Sequence, residues 1–311
     1  MHSLLEAAVA GDVRALGKAL SVIEDGTPEV TELLSDLSDS NSALLIGVTG
    51  PPGVGKSTTT GALIAEYRKQ SLRVAVLAVD PSSPVTGGAL LGDRIRMQEH
   101  ALDEGVFIRS MSSRGQLGGL SSATQSAAKV LGAVGFDVII VETVGVGQSE
   151  VDVVNAVDTV VLVLAPGAGD GVQAAKAGIL EIADIYVVNK ADRDGAEGVV
   201  RELRSMIGLG SQSKTSWTPE IVTTVATTGQ GLGELVTAIT KHHDWAIASG
   251  DRAARSIERA RLNLRRAVLN AINERLDLNA GTLNALSSQV ASGEISTELA
   301  VQQILQDLSK S

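Results

Sequence analysis

Through the middle of the chain, short uninterrupted apolar runs alternate with stretches whose apolar residues recur every three or four positions. The runs at 43–48, 72–79, 106–109, 137–142, 158–164, 183–189 and 220–225 predict strands. Helical patterns near 56–70, 93–103, 121–134, 171–180, 195–207 and 231–248 predict the connections between them. Strand, crossover and strand in series require an α/β fold with a mainly parallel sheet and helices on both faces. The flanks read as helix only. Leu4, Leu5, Ala8 and Val9 form one stripe; Asp12 is placed to cap a second helix carrying Val13, Leu16, Leu20 and Ile23; Thr27-Pro28 opens a third. Ser38 to Ser42 is a polar hinge into the first strand.

Beyond 249 the pattern becomes a long helix, with Ile257, Leu264, Val268, Ile272 and Leu276 at helical spacing, then shorter helices near 280–291 and 294–309. The expected organisation is therefore a helical extension at 1–42, a sheet domain at 43–249 and a helical arm at 250–311. The arm carries Arg252, Arg255, Arg259, Arg261, Arg265, Arg266 and Arg275, which read as a solvated face pairing with Glu258 and Glu274. Its apolar stripe offers a contact for a second copy or a partner.

Composition narrows this. The chain is 44% hydrophobic but holds only two each of Phe, Tyr and Trp, so its core must be aliphatic, as in buried parallel strands. A net charge of −10 disfavours nonspecific binding to nucleic acid or an anionic membrane. The lack of cysteine excludes disulfides and thiolate metal sites and fits a reducing cytoplasm. Met1 to Glu6 show no basic region followed by a long apolar stretch, and no uncharged apolar run approaches ~20 residues, so neither a signal peptide nor a membrane span is expected.

The candidate chemistry starts after the first strand. Gly50-Pro51-Pro52-Gly53-Val54-Gly55-Lys56-Ser57 fits the phosphate-cradling pattern at every fixed position, with a helix opening at Thr58. The glycines let successive N–H groups turn toward one anion, and the helix adds its positive end. Lys56 is placed to reach the β- and γ-phosphates and Ser57 to hold Mg²⁺. Asn189-Lys190-Ala191-Asp192 follows another strand. A carboxylate at Asp192 can accept from both the ring N–H and the exocyclic amine of guanine, a pair that adenine lacks. Asn189 can tie this loop to the phosphate loop, and the Lys190 stem can lie along the base. Ala226, Thr227 and Thr228, after the last strand, are placed to offer a backbone N–H to the guanine oxygen. Glu142 ends the run from Asp137 and precedes Gly145, where an NTPase senses Mg²⁺ and the γ-phosphate; most GTPases have Asp there. Asp80 ends a strand and Asp93 opens a helix, and acids so placed bind Mg²⁺ or its waters, orient the attacking water, or merely cap.

With these residues in place the chain resembles the signal-recognition-related GTPases, and more closely the methylmalonyl-CoA mutase-associated GTPases, the MeaB or ArgK family. The residues that carry the likeness are Gly50 to Thr59, Val79 to Pro84, Gly92 to Met97, Glu142 to Glu150, Pro166 to Asp170 and Asn189 to Asp192. It covers practically the whole chain. The resemblance implies a P-loop GTPase sheet and a Mg²⁺-dependent enzyme hydrolysing GTP to GDP. It further implies a chaperone of an adenosylcobalamin-dependent mutase, a homodimer, and a nucleotide and metal site made of Lys56, Ser57, Asp80, Asp93 and Glu142. The same likeness links a mobile loop from Pro166 to Lys176 with signalling to the mutase. Gln148 does not occupy the water-orienting position of Ras-type enzymes, so the base is left unassigned, with Asp93 as a candidate. Related GTPases that insert nickel use Cys and His ligands; here there is no Cys, and His100 is alone in the relevant interval. Two further readings share the site: a nucleotide-gated interaction switch, and an ATP-dependent accessory of amino-acid transport.

Overall fold

The computed structural model of the protein describes residues 3–26, 29–35, 37, 43–80, 100, 102–112, 119–143, 156–167, 180–209, 216–278 and 280–310. All seven expected strands are present: β1 (Leu44–Thr49), β2 (Val74–Asp80), β3 (Val106–Ser112), β4 (Val138–Thr143), β5 (Thr159–Leu164), β6 (Ile185–Val188) and β7 (Glu220–Thr223). They pair in the order β3-β2-β4-β1-β5-β6-β7, every pair parallel. The strand bearing the phosphate loop thus lies at the centre, between β4 and β5. Crevices at the carboxyl ends of such central strands are where α/β proteins bind ligands.

Strands β4, β5 and β6 are buried along their whole length, which is why they read as unbroken apolar runs. One face is covered by α4 (Lys56–Lys69) and α7 (Leu232–Ala248). There Leu63, Ile64, Leu235 and Ile239 meet Ile46, Val48, Val76 and Ile140, all fully buried. Each such side chain contributes about 1.5–3 kcal/mol. The opposite face is covered by α1 (Ser3–Val9), α2 (Val13–Asp25), α3 (Glu29–Ser35) and α5 (Gly119–Ala133). Leu5, Leu16, Leu20, Leu33 and Leu131 there join Leu77 and Ile139 in one core, so the N-terminal helices share the sheet's own core. Asp12 caps α2, accepting from the N–H groups of Arg14 and Ala15 at 2.8 and 3.1 Å. Two members of the expected stripes, Val9 and Val13, are exposed instead. On β3, Arg109 fastens α2 by donating to Gly17 O, Ser21 Oγ and Glu24 Oε2 at 3.1, 3.0 and 2.9 Å. A smaller core lies under α6 (Ala196–Leu209), where Leu203 packs with Leu162, Leu164, Tyr186 and Val188. The helices expected near 93–103 and 171–180 fall largely outside the described residues.

By contact the chain divides into two units, at 1–255 and 256–311. The second holds the rest of α8 (Asp251–Leu278) together with α9 (Ala280–Ser292) and α10 (Thr297–Lys310). Leu286 and Ala300 are buried, whereas Ile257, Leu264, Val268, Leu299 and Leu305 are exposed. No helix among the described residues is long and apolar enough to cross a membrane.

Candidate nucleotide site

Strand β1 ends at Thr49, and the chain must then reverse into α4 within a few residues. Gly50 makes this possible: its φ is 141°, and a Cβ there would lie 2.1 Å from the carbonyl oxygen of Val163 in β5. Gly55, at φ 97°, precedes α4, and its side-chain-free position leaves the first-turn amides of the helix without a side-chain acceptor. A helix start without a side-chain cap suits an anion. Thr59 Oγ1 turns back to Gly55 O at 3.0 Å, so it does not compete. Four carbonyls of the loop are held by side chains. Lys56 Nζ donates to Gly50 O and Pro51 O at 2.7 and 3.0 Å, Asn189 Nδ2 to Val54 O at 2.9 Å, and Lys190 Nζ to Gly53 O at 2.7 Å.

At the mouth of the central strands, Ser57 Oγ donates to Glu142 Oε1 at 2.5 Å, bringing together residues 85 apart in sequence. Both are buried, at 7% and 3% exposure. Glu142 lies beside Val48 of β1 and Ala78 of β2 in register. Below it, Thr143 donates to Thr49 across the same strands at 3.0 Å. A hydroxyl and a carboxylate are hard oxygen donors of the kind Mg²⁺ takes, usually alongside waters and phosphate oxygens. These residues fit that ion. Among the described residues no group of three His, Cys, Asp or Glu forms a metal cluster by itself. The Asp80 side chain, Asp93, Gln148 and residues 168–176 including Lys176 lie outside what is described; Pro166 and Gly167 are the described part of that last loop.

The second loop follows β6. Asn189 is 2% exposed and works as a hub: besides donating to Val54 O, its Oδ1 accepts from Ala226 N at 3.1 Å and from Thr224 Oγ1 at 3.3 Å. One side chain therefore joins the phosphate loop, the 189–192 loop and the 226–228 loop. The backbone repeats the tie, with Asn189 N on Leu164 O at 2.8 Å and Ala191 N on Thr224 O at 3.0 Å. Lys190 takes a left-handed φ of 57°, and Arg193 N closes the turn on Lys190 O at 3.0 Å. Asp192, Thr227 and Thr228 are exposed beside this hub. Pro51 is half-buried, Pro52, Gly53 and Thr58 are exposed, and Val54 is buried.

Another buried polar group lies at the opposite ends of β5 and β6. Asp184 accepts from Arg255 at 2.8 and 3.1 Å and from Val160 N at 2.8 Å, while its carbonyl accepts from Trp217 Nε1 at 2.8 Å. The buried His242 ring has Nδ1 2.8 Å from Thr159 Oγ1 and Nε2 3.3 Å from Asp184 Oδ1. Burial pushes the Asp184 carboxyl upward, but the His242 ring beside it and the Arg255 guanidinium outweigh it and hold the group below the usual carboxylate range. Arg252 pairs with Asp158 at 3.0 Å. The solvated-face reading thus fails for Arg252 and Arg255, because two acids at the strand ends face the first turn of α8. It describes Arg261, which pairs with Glu258 at 3.3 Å on the surface. The only clue in sequence was two aspartates each placed just before an apolar run.

Known proteins agree with this geometry. The family described as methylmalonyl Co-A mutase-associated GTPase MeaB matches residues 16–280. GTPase ArgK of Escherichia coli K12 is 38% identical over 281 residues, covering 86% of this chain and 85% of that protein. The mouse protein named methylmalonic aciduria type A homolog, mitochondrial, is 39% identical over 213 residues, 68% of this chain and 51% of its own. A crystal structure of an LAO/AO transport system kinase superposes with a TM-score of 0.70 at 28% identity, covering 99% of both chains. A parallel sheet with a phosphate loop on its central strand, a guanine-type loop tied to it, and a match of this extent lead to one statement: the chain belongs to the methylmalonyl-CoA mutase-associated GTPase (MeaB) family, and is a guanine-nucleotide-binding GTP hydrolase of that family.

Proposed function

We propose that this GTPase is Mg²⁺-dependent and serves as a chaperone of an adenosylcobalamin-dependent mutase of the methylmalonyl-CoA type, coupling its nucleotide cycle to cofactor loading and to protection or rescue of the mutase. The observation that carries the chemical part is the 2.5 Å contact of Ser57 with Glu142 directly under the amide loop. In this reading Ser57 and Glu142, with Asp80 and Asp93, hold the metal or its waters. The metal, when bound, neutralises charge between the β- and γ-phosphates. Lys56 exchanges its carbonyl partners for phosphate oxygens, and the loop amides stabilise charge developing on the γ-phosphoryl group as water attacks in line. Asp192 reads guanine, with Asn189, Lys190 and Ala226 to Thr228 shaping its slot.

The family's name supports the mutase as partner. The exposed Ile257, Leu264 and Val268 on one helix support the arm at 250–311 as a homodimer contact. A cytoplasmic location accords with the lack of cysteine. The test is co-purification of the protein with such a mutase in GDP and again in a nonhydrolysable GTP analogue, alongside turnover with and without the mutase. Nucleotide-dependent capture and faster turnover are expected. Equal capture and equal rates overturn the chaperone role, and full activity of Lys56→Ala overturns the site.

A further inference from the structure

We infer that Asp184 is a positioning residue for the guanine-reading loop, acting from the far end of β6. The inference rests on the proposed reading of Asn189 to Asp192 as the base site and names what holds that loop in place.

Strand β6 is only Ile185 to Val188, and all four residues are buried. Ile185 and Val187 enter one core while Tyr186 and Val188 enter the other. A strand that is apolar on both faces has its register only weakly specified by hydrophobic pattern, because a shifted pairing buries equally greasy side chains. Polar anchors at the strand ends must decide it. At the carboxyl end the anchor is Asn189, itself part of the site. At the amino end it is Asp184, whose backbone N–H donates to Val160 O at 3.0 Å while its Oδ2 accepts from Val160 N at 2.8 Å. This two-way clasp sets β6 against β5 in the register that brings Val188 beside Leu164. The next residue is Asn189.

The clasp is itself immobilised. Arg255 grips the carboxylate with two hydrogen bonds and is held from behind by Asp251 at 2.6 Å, and the His242 ring closes the remaining side. From Asp184 to Asn189 is about 16 Å at ~3.3 Å per residue, so Asp184 touches no nucleotide and acts only through the strand. A misplacement of ~1 Å at a reading group costs up to about a hundredfold, which is why a remote clasp matters to selectivity.

The experiment is isothermal calorimetry of GDP and of inosine diphosphate, which lacks only the exocyclic amine, on wild-type protein, Asp184→Asn and Arg255→Met. The readout is the ratio of the two affinities. Partial unfolding lowers both affinities by one common factor and leaves that ratio unchanged, so a merely structural role does not move it. Wild-type protein is expected to prefer GDP by about tenfold or more. The preference should fall to about a third or less in Asp184→Asn, whose amide turns one acceptor oxygen into a donor facing Arg255 and loses the charge that Arg255 grips, and by a smaller factor in Arg255→Met, which keeps both carboxylate oxygens. A wild-type ratio in Asp184→Asn overturns the inference; if that variant does not fold, a wild-type ratio in Arg255→Met does so. Wild-type protein that binds both nucleotides alike overturns the parent reading and the inference with it.

Discussion

Replacing Asn189 by Ala removes the side chain that joins three loops, and its effect can be worked from the contacts. The substitution deletes hydrogen bonds to Val54 O, Ala226 N and Thr224 Oγ1 at 2.9, 3.1 and 3.3 Å. Two of these partners are backbone groups of buried residues, Val54 at 1% and Ala226 at 8% exposure. A buried backbone group left without its partner costs about 1–3 kcal/mol, so two cost about 2–6 kcal/mol, less what water recovers at the rim. We take ~3 kcal/mol as the expected loss. For a unit of this size that lowers the melting temperature by about 6–12 °C. The fold survives, because Asn189 N still donates to Leu164 O and Ala191 N to Thr224 O. Among the described residues, the phosphate loop and the 189–192 loop keep the Lys190 link to Gly53 O. GDP affinity is expected to fall about tenfold or more. Differential scanning calorimetry and a GDP titration measure both quantities. Melting within about 2 °C of wild type, with unaltered GDP affinity, would refute the hub.

Gly50→Ala drives a methyl to 2.1 Å from Val163 O, over 1 Å inside a normal C···O contact of about 3.3 Å, at a φ of 141°. Nucleotide binding should be lost and the melting temperature lowered; calorimetry finding both intact would mean the loop is built otherwise. Arg109→Ala breaks an ion pair with Glu24 whose side chains are 17% and 11% exposed, and should cost about 3 kcal/mol in a urea titration. A loss under about 1 kcal/mol would show that α2 is held by its leucines alone. The Asp184 carboxyl, depressed in the folded state by His242 and Arg255 against the pull of burial, contributes stability that is complete above its unfolded value of about 4 and lost as pH falls through its folded value. Urea midpoints followed from about pH 5 down to about pH 2.5 should decline more steeply for wild type than for Asp184→Asn, and parallel profiles would contradict this.

Sequence alone was enough for the seven strands and for the described helices, and it marked the two loops by their motifs. Buried parallel strands must be apolar throughout, so runs such as Val138 to Val141 were legible as strands to within one or two residues. The phosphate loop and the Asn189 loop were legible because each needs particular residues at adjacent positions, which is local information. Even the cap at Asp12 was visible on those terms. What could not be read was which elements lie side by side. Arg252 and Arg255 looked like any arginines on a charged helix, since helical spacing does not say which of seven faces two aspartates 94 and 71 residues earlier. Likewise Val9 and Val13 fit apolar stripes yet face outward, because a stripe is wider than the surface its neighbours cover. The sheet order, with β1 set between β4 and β5, made Ser57 and Glu142 neighbours and gave Asn189 and Asp184 the two ends of one short strut. Such pairings are energies between distant residues that exist only after the chain has closed its loops; no window along the polymer contains them.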